Sequence, residues 1–370
     1  MYPSPHPEEE EPAMSGAFRA SGKDLLYTCS CVPEEIVLAA GFRPRRFLPE
    51  GRPADAWVHP KTCGYVKNVL AAALDSEDLD AVGIIIANSC DAMRRLYDLW
   101  TGYVPRVPAF FLDVPKKSDD ASIAFFASEF ARLSEWLHEE LRGTRVSQAN
   151  LGEAVRTCNE VRSLMGEVFG LQAGVPSGIP GERVFDLCLA GATLPKAEFA
   201  ADIRRLLDGA KGEPGRARTP RIVVAGGLSC ERHVVAEIER AGADVVALDT
   251  CIGLRHYEEC VGEASDQIAA LARRYLGRRT CARMDGLEQR IRCMTKLADD
   301  TRADGVIYCS LKFCDPCLYD VPPISRTFRE QGTPFLWLED DYASSSLGRT
   351  RTRIEAFLEL IEQQDGGARC

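Results

Sequence analysis

Short, wholly apolar runs alternate along this chain with longer stretches whose apolar residues recur every three or four positions, and the alternation occurs in two successive blocks. Strand-sized runs that are apolar on both faces suit a parallel sheet covered by helices on each side. In the first block "PEEIVLAAGF" predicts a helix entered through Pro33 with glutamates in its opening turn, and "FLPEG" a strand and turn. "TCGYVKNVLAAAL" predicts a helix, "DAVGIIIANSCD" a buried strand running into a turn, "AMRRLYDLW" the start of another helix and "VPAFFLDVP" the next strand. From about residue 121 to 206 the three-and-four spacing predicts a helical layer, and the Gly-, Pro- and Arg-rich "DGAKGEPGRARTP" predicts a linker. In the second block "RIVVAGG", "ADVVALDTC", "ADGVIYCS" and "PFLWLED" predict strands. "ERHVVAEIERAG", "EQRIRCMTKLADDTRA" and "PPISRTFREQG" predict the helices between them.

The expected fold class is therefore α/β, with two doubly wound parallel-sheet domains of flavodoxin- or Rossmann-like build joined by a helical connector. The expected divisions are a disordered tail over 1–20, a first domain with the helical layer over 21–206, a linker over 207–220 and a second domain over 221–370. A length of 370 residues with 45% hydrophobic content is enough for two cores. Net charge is -10 and no Lys/Arg block is long enough to track phosphates, which argues against a nucleic-acid partner. The opening "MYPSPHPEEEEPAMSG" has neither a basic nor an apolar region of signal-peptide type, and no apolar run approaches the ~20 residues of a membrane helix. A cytoplasmic protein without membrane contact is expected.

Fifteen cysteines do not fit that setting as disulfides, which are rare in a reducing compartment and would leave an odd thiol over. Cys158, Cys188, Cys260 and Cys293 lie in helix-like sequence and are read as inert, while Cys281 and Cys370 carry no motif. The others gather at strand ends. Cys90 ends "GIIIANSC", Cys230 follows "RIVVAGG", Cys251 closes "VVALDTC" and Cys314 follows "GVIYCSLKF". Ligands of open parallel sheets bind beyond the carboxyl ends of the strands, so these thiols belong to two functional edges. Cys63 stands near a helix N-terminus, whose field favours thiolate, and Cys29 and Cys31 precede the Pro33 helix. "CDPC" at 314–317 lacks the second knuckle of a zinc ribbon and lies too late in the chain for a thioredoxin motif. Thiolates drawn from distant loops suit an iron–sulfur cluster; buried inert thiols are the other reading of the spacing.

"YTCSCVPEEIVLAAGFRPRRF", "TCGYVKN", "NSCDAMRRLYDLW", "DTCIGLR", "LKFCDP" and "GRTRTRIEAFLE" together resemble the subunits of the 2-hydroxyacyl-CoA dehydratase and benzoyl-CoA reductase family, in the family's order and across residues 25 to 360. The absence of a GxGxxG or P-loop agrees with a family whose ATPase is a separate activator, and speaks against a nicotinamide dehydrogenase. The resemblance implies that Cys63, Cys90 and Cys314 are the thiolates of a [4Fe-4S] cluster in the cleft between the domains, with one iron open. It also implies an ATP-dependent iron–sulfur activator that delivers one low-potential electron. The substrate implied is a 2-hydroxyacyl-CoA thioester that loses its hydroxyl through a ketyl radical, and the assembly a homodimer or a heterodimer with a paralogous subunit. Glu35 corresponds to a glutamate on the substrate side that would move protons; helix N-terminal charge is the equal alternative for Glu34 and Glu35.

A double-cubane branch of the same family implies a wider set, Cys29, Cys63 and Cys90 with Cys251, Cys314 and Cys230, around an [8Fe-9S] cluster. Against it, Gly226 and Gly227 stand where that branch carries a cysteine. The alternative functions are thus an ATP-dependent low-potential reductase, acting on small molecules or as part of a benzoyl-CoA reductase, and a noncatalytic electron carrier. Arginines of "ARRYLGRRT" and "RTFREQG" are read as solvated helix faces, and His233 and His256 as structural for want of a nearby acid. Asp91 and Asp315 are expected to orient the loops beside the thiols.

Overall fold

The structure, a computed structural model, describes residues 23–49, 57–75, 79–209, 219–227, 232–278, 281–340 and 347–367. Cys230, Cys370, the expected tail and most of the expected linker lie outside the described residues. Two four-stranded sheets form, ordered β2-β1-β3-β4 and β6-β5-β7-β8. The first is built from β1 (Asp24–Tyr27), β2 (Arg43–Arg46), β3 (Gly83–Ala87) and β4 (Ala109–Leu112). The second is built from β5 (Arg221–Gly226), β6 (Asp244–Asp249), β7 (Gly305–Leu311) and β8 (Phe335–Asp340). Every pairing is parallel, as strands apolar on both faces require. In each sheet the chain leaves its first strand to one side and returns on the other, which opens a crevice between β1 and β3 and another between β5 and β7.

The helices of the first block are α1 (Glu34–Ala39), α2 (Gly64–Asp75), α3 (Asp91–Tyr103) and α4 (Asp120–Glu139). Then come α5 (Gln148–Ala173), α6 (Gly181–Thr193) and α7 (Lys196–Gly209), which with α4 form the expected helical layer. The second block holds α8 (Arg232–Arg240), α9 (Leu254–Tyr257), α10 (Gln267–Gly277), α11 (Leu287–Asp300), α12 (Asp315–Glu330) and α13 (Leu347–Gly367). Ser147 starts α5 with a reciprocal capping box to Asn150, and Asp119 caps α4 through the Ser122 N–H at 2.8 Å. Among the described residues no helix is long and apolar enough to cross a membrane.

Two elements differ from expectation. The strand expected at "FLPEG" lies earlier, at Arg43–Arg46, where three arginines hide a strand from any apolar pattern. They are tolerated because Asp24 of β1 pairs with Arg43 and, at 2.8 Å, with Arg45, while Arg46 lies over the Tyr27 ring at 5.6 Å. The helix expected to start at "PPIS" starts seven residues sooner, at Asp315, with Pro316 in its first turn; Pro322 and Pro323 then fall inside α12. A proline in the first turn gives up an N–H that has no helical partner, so the start is set there.

The two cores exchange helices. Leu151 and Ala154 of α5 pack with β1, β3 and α4, whereas Val161, Met165, Val168 and Phe169 further along α5 join α6, α7 and the second sheet. In return Leu271, Ala272, Tyr275 and Leu276 of α10, with Met284, enter the first core. At ~1.5–3 kcal/mol for each fully buried large apolar side chain, this exchange ties the halves together and fixes the crevices against each other.

Candidate functional site

Three of the expected thiols stand at helix starts. Cys63 immediately precedes α2, and Cys90 and Cys314 are the N-cap residues of α3 and α12. Backbone N–H groups of Tyr65 and Val66 point at the Cys63 sulfur, those of Ala92 and Met93 at Cys90, and that of Cys317 at Cys314. Each sulfur therefore meets the positive end of a helix dipole. Cys63 from the first block and Cys314 from the second share a hydrogen bond, and Cys90 is close enough for its thiol to feel Cys63. Leu311 of β7 packs in the same apolar cluster as Leu26, Val66 and Ile86 of the first block, so the strand ends of both sheets meet here.

The Cys314 contact, followed by burial, pushes the Cys63 thiol well above its ordinary range. Cys314 is pushed up first by the Cys317 thiol, and Cys90 by burial. Helix ends alone do not make these groups thiolates; a cation among them would. Three soft donors in an apolar, partly dehydrated wall suit a thiophilic metal. Among the described residues no group of three or more His, Cys, Asp and Glu side chains is gathered tightly enough for a single ion.

A second group of thiols lies behind β1 and β6. Cys29 and Cys31 fall in the turn after β1 and hydrogen-bond to each other, which drives Cys29 up and Cys31 down. The Cys31 sulfur accepts from Arg283 Nη2 at 2.8 Å and Nε at 3.2 Å. Cys31, Cys251 and Cys281 line one small pocket. Arg46 connects the two regions: its Nη2 is 3.8 Å from Cys251 Sγ, and it also meets Tyr65, whose hydroxyl donates to Phe47 O at 2.8 Å. Thus Cys63, Cys90 and Cys314 fall in one apolar cluster, while Cys29 and Cys251 pack against two others.

Gly226 has φ +137°, and a Cβ there would sit 2.0 Å from the Cys309 carbonyl oxygen. A side chain at this position is sterically barred, which gives the glycine found there a backbone reason. Cys309 lies inside β7 and Cys317 in the first turn of α12, both buried. Cys158 and Cys188 are buried in helices, as expected, but Cys260 lies exposed in the loop after α9, not in a helix. Asp91 and Asp315 are exposed in the first turns of α3 and α12.

Glu35 is fully buried, paired with Arg162 and hydrogen-bonded by the Tyr275 hydroxyl at 2.8 Å; the thiol near it is Cys158. Burial would raise its carboxyl, yet Arg162 outweighs that and holds it below the usual range. Its neighbour Glu34 accepts from Tyr27 Oη at 2.8 Å, Lys196 Nζ at 2.8 Å and His256 Nε2 at 3.2 Å. His256 thus has an acid partner that lies 222 residues away in sequence, where a local window does not look. "ARRYLGRRT" also departs from expectation: Arg274 and Arg278 are buried, not solvated, and Arg278 donates to Ser30 O at 2.7 Å.

Paired parallel α/β units with thiols gathered at their strand ends define a two-unit α/β protein with a thiol-lined edge. The chain belongs to the 2-hydroxyglutaryl-CoA dehydratase D-component family, which it matches over residues 29–361. It is similar to the (R)-phenyllactyl-CoA dehydratase beta subunit of Clostridium sporogenes, 26% identical over 93% of this chain and 92% of that one. It is equally similar to a subunit of the benzoyl-CoA reductase of Thauera aromatica, 26% identical over 92% of each chain. The (R)-2-hydroxyglutaryl-CoA dehydratase beta subunit of Acidaminococcus fermentans is 22% identical over 94% of this chain and 95% of its own.

Proposed function

We propose that this chain is the iron–sulfur subunit of a 2-hydroxyacyl-CoA dehydratase-type enzyme, with Cys63, Cys90 and Cys314 holding a [4Fe-4S] cluster. The observation that carries the reading is the meeting of these three thiols from three helix N-termini, with Cys63 and Cys314 in contact across the two sheets. A cubane places each thiolate on a different iron, and so asks for a wider spacing than one ion does. When bound, it supplies a low-potential one-electron centre with one iron open to a substrate oxygen. The helix starts at Cys63, Cys90 and Cys314 hold its negative charge, and Leu26, Val66, Ile86 and Leu311 keep water from its protein side. Glu35 we assign to fastening α1 against α5 and α10 through Arg162 and Tyr275.

The substrate in this reading is a 2-hydroxyacyl-CoA thioester, dehydrated after one-electron reduction. The electron comes from an ATP-dependent activator, the chain works with a paralogous subunit, and the setting is cytoplasmic. The second reading is an ATP-dependent low-potential reductase, favoured by an identity to the benzoyl-CoA reductase chain that equals the identity to the phenyllactyl-CoA dehydratase chain. An anaerobic assay with partner subunit, activator, ATP and a 2-hydroxyacyl-CoA separates them. Dehydration yields an enoyl-CoA with reductant needed only in catalytic amount; reductant consumed one-for-one with a reduced acyl product sinks the dehydratase reading.

A further inference from the structure

Three guanidinium groups on the face between the sheets have no carboxylate partner among the described residues. Arg46 is buried, its Nε meets no hydrogen-bond acceptor, and Cys251 Sγ, the Tyr27 ring and Tyr65 stand around it. Arg278 donates to Ser30 O and Oγ at 2.7 and 3.0 Å, to Arg255 O at 3.0 Å and to Cys31 Sγ at 3.7 Å. Arg283 donates to Cys31 Sγ and to Pro115 O at 3.3 Å. Arg162, Arg255 and Arg290 are as deeply buried as Arg46 and Arg278, and each has its acid, in Glu35, Asp249 and Asp320. A buried charge without a counter-ion is strongly unfavourable, and even a thiolate at Cys31 balances one charge of three.

Arg255, Arg278 and Arg283 wall the pocket together with Ser30, Cys31 and Cys251, and among the described residues no carboxylate lines it. Cys251 also lies beside Arg46 and Tyr257, whose buried hydroxyl has no hydrogen-bond partner among the described residues. With Asp249 already engaged by Arg255, the positive charge faces inward. We propose that this pocket binds a small oxyanion, a carboxylate or a phosphate group, between Arg278 and Arg283. The planar Nε and Nη2 fork of Arg283, which the Cys31 sulfur holds at 3.2 and 2.8 Å, matches both groups once they take the place of that sulfur, and the Ser30 hydroxyl adds a further polar contact. Cys63, Cys90 and Cys314 do not line this pocket, and the proposal stands whether or not the thioester reading holds.

The test uses the full chain purified anaerobically, titrated with succinate, inorganic phosphate and chloride at equal ionic strength. Calorimetry reads binding, and mass spectrometry reads the rate of Cys31 and Cys281 alkylation. One of the two oxyanions binds and slows alkylation while chloride does neither; succinate alone assigns a carboxylate ligand and phosphate alone a phosphate ligand. Arg283→Gln weakens that binding at least about tenfold, and Arg283→Lys, which keeps the charge and loses the fork, about threefold. Circular dichroism establishes that each variant is folded; should Arg283→Gln fail to fold, the Arg283→Lys comparison decides alone. No oxyanion binding below about 10 mM, or affinity unchanged in the folded variants, overturns the proposal. So does iron reconstitution that loads the cavity through Cys31, Cys251 and Cys281 and abolishes oxyanion binding.

Discussion

Replacing His256 by glutamine removes a titratable group from the interior while keeping an N–H donor for Glu34. The imidazole is 8% exposed, and burial pushes it down from 6.5 to about 4 against the opposing pull of Glu34. The unfolded chain takes up this proton as pH falls below 6.5, whereas the folded protein resists it until about 4. Stability from this group is thus complete above 6.5 and is lost progressively down to about 4. At ~1.4 kcal/mol per pH unit the whole window is worth about 3 kcal/mol, of which roughly 2 kcal/mol falls between pH 7 and 5. Glu34 acts in the same direction at lower pH: burial raises its carboxyl, but Lys196 and His256 together hold it well below the usual range. Urea unfolding followed by tryptophan fluorescence at pH 7, 6 and 5 reads the effect as wild type minus His256→Gln. That difference should fall by roughly 2 kcal/mol on acidification. A difference that stays flat, or that grows, would refute the argument that His256 is held neutral.

Arg162→Met leaves the Glu35 carboxylate buried with only the Tyr275 hydroxyl, and thermal unfolding should show a loss of ~3–5 kcal/mol; under about 1 kcal/mol would mean the ion pair does not fasten α1. Gly226→Ala drives a Cβ into the Cys309 carbonyl at positive φ, a backbone clash that should cost about 3 kcal/mol or more, and an unchanged melting temperature would contradict it.

Strands such as β3, and β5 beyond Arg221, were legible because their residues are apolar without interruption, a pattern that suits a sheet buried on both faces. β2 was not, because its arginines are satisfied by Asp24 and the Tyr27 ring, partners that a local window does not contain. Cysteines at strand ends were legible for the same reason as the strands: in a parallel sheet the carboxyl edge is the functional edge. The turn between "SLKF" and α12 shows how far this goes, since Cys314 was placed correctly beyond β7 while the helix it caps was expected seven residues late. The arginine-walled cavity and the Glu34–Lys196–His256 group were hidden for a different reason. Each is assembled from α10 or α9 crossing into the first core, and burial of a charge is decided by that long-range packing, not by its neighbours in sequence.

Iron and acid-labile sulfide should be counted per chain on anaerobically purified protein, alongside Cys314→Ala and the buried-thiol control Cys188→Ala. About four irons, lost in Cys314→Ala and kept in Cys188→Ala, is the result expected of a cubane held by Cys63, Cys90 and Cys314. No iron under strict anaerobiosis, or a full complement retained in Cys314→Ala, would contradict it.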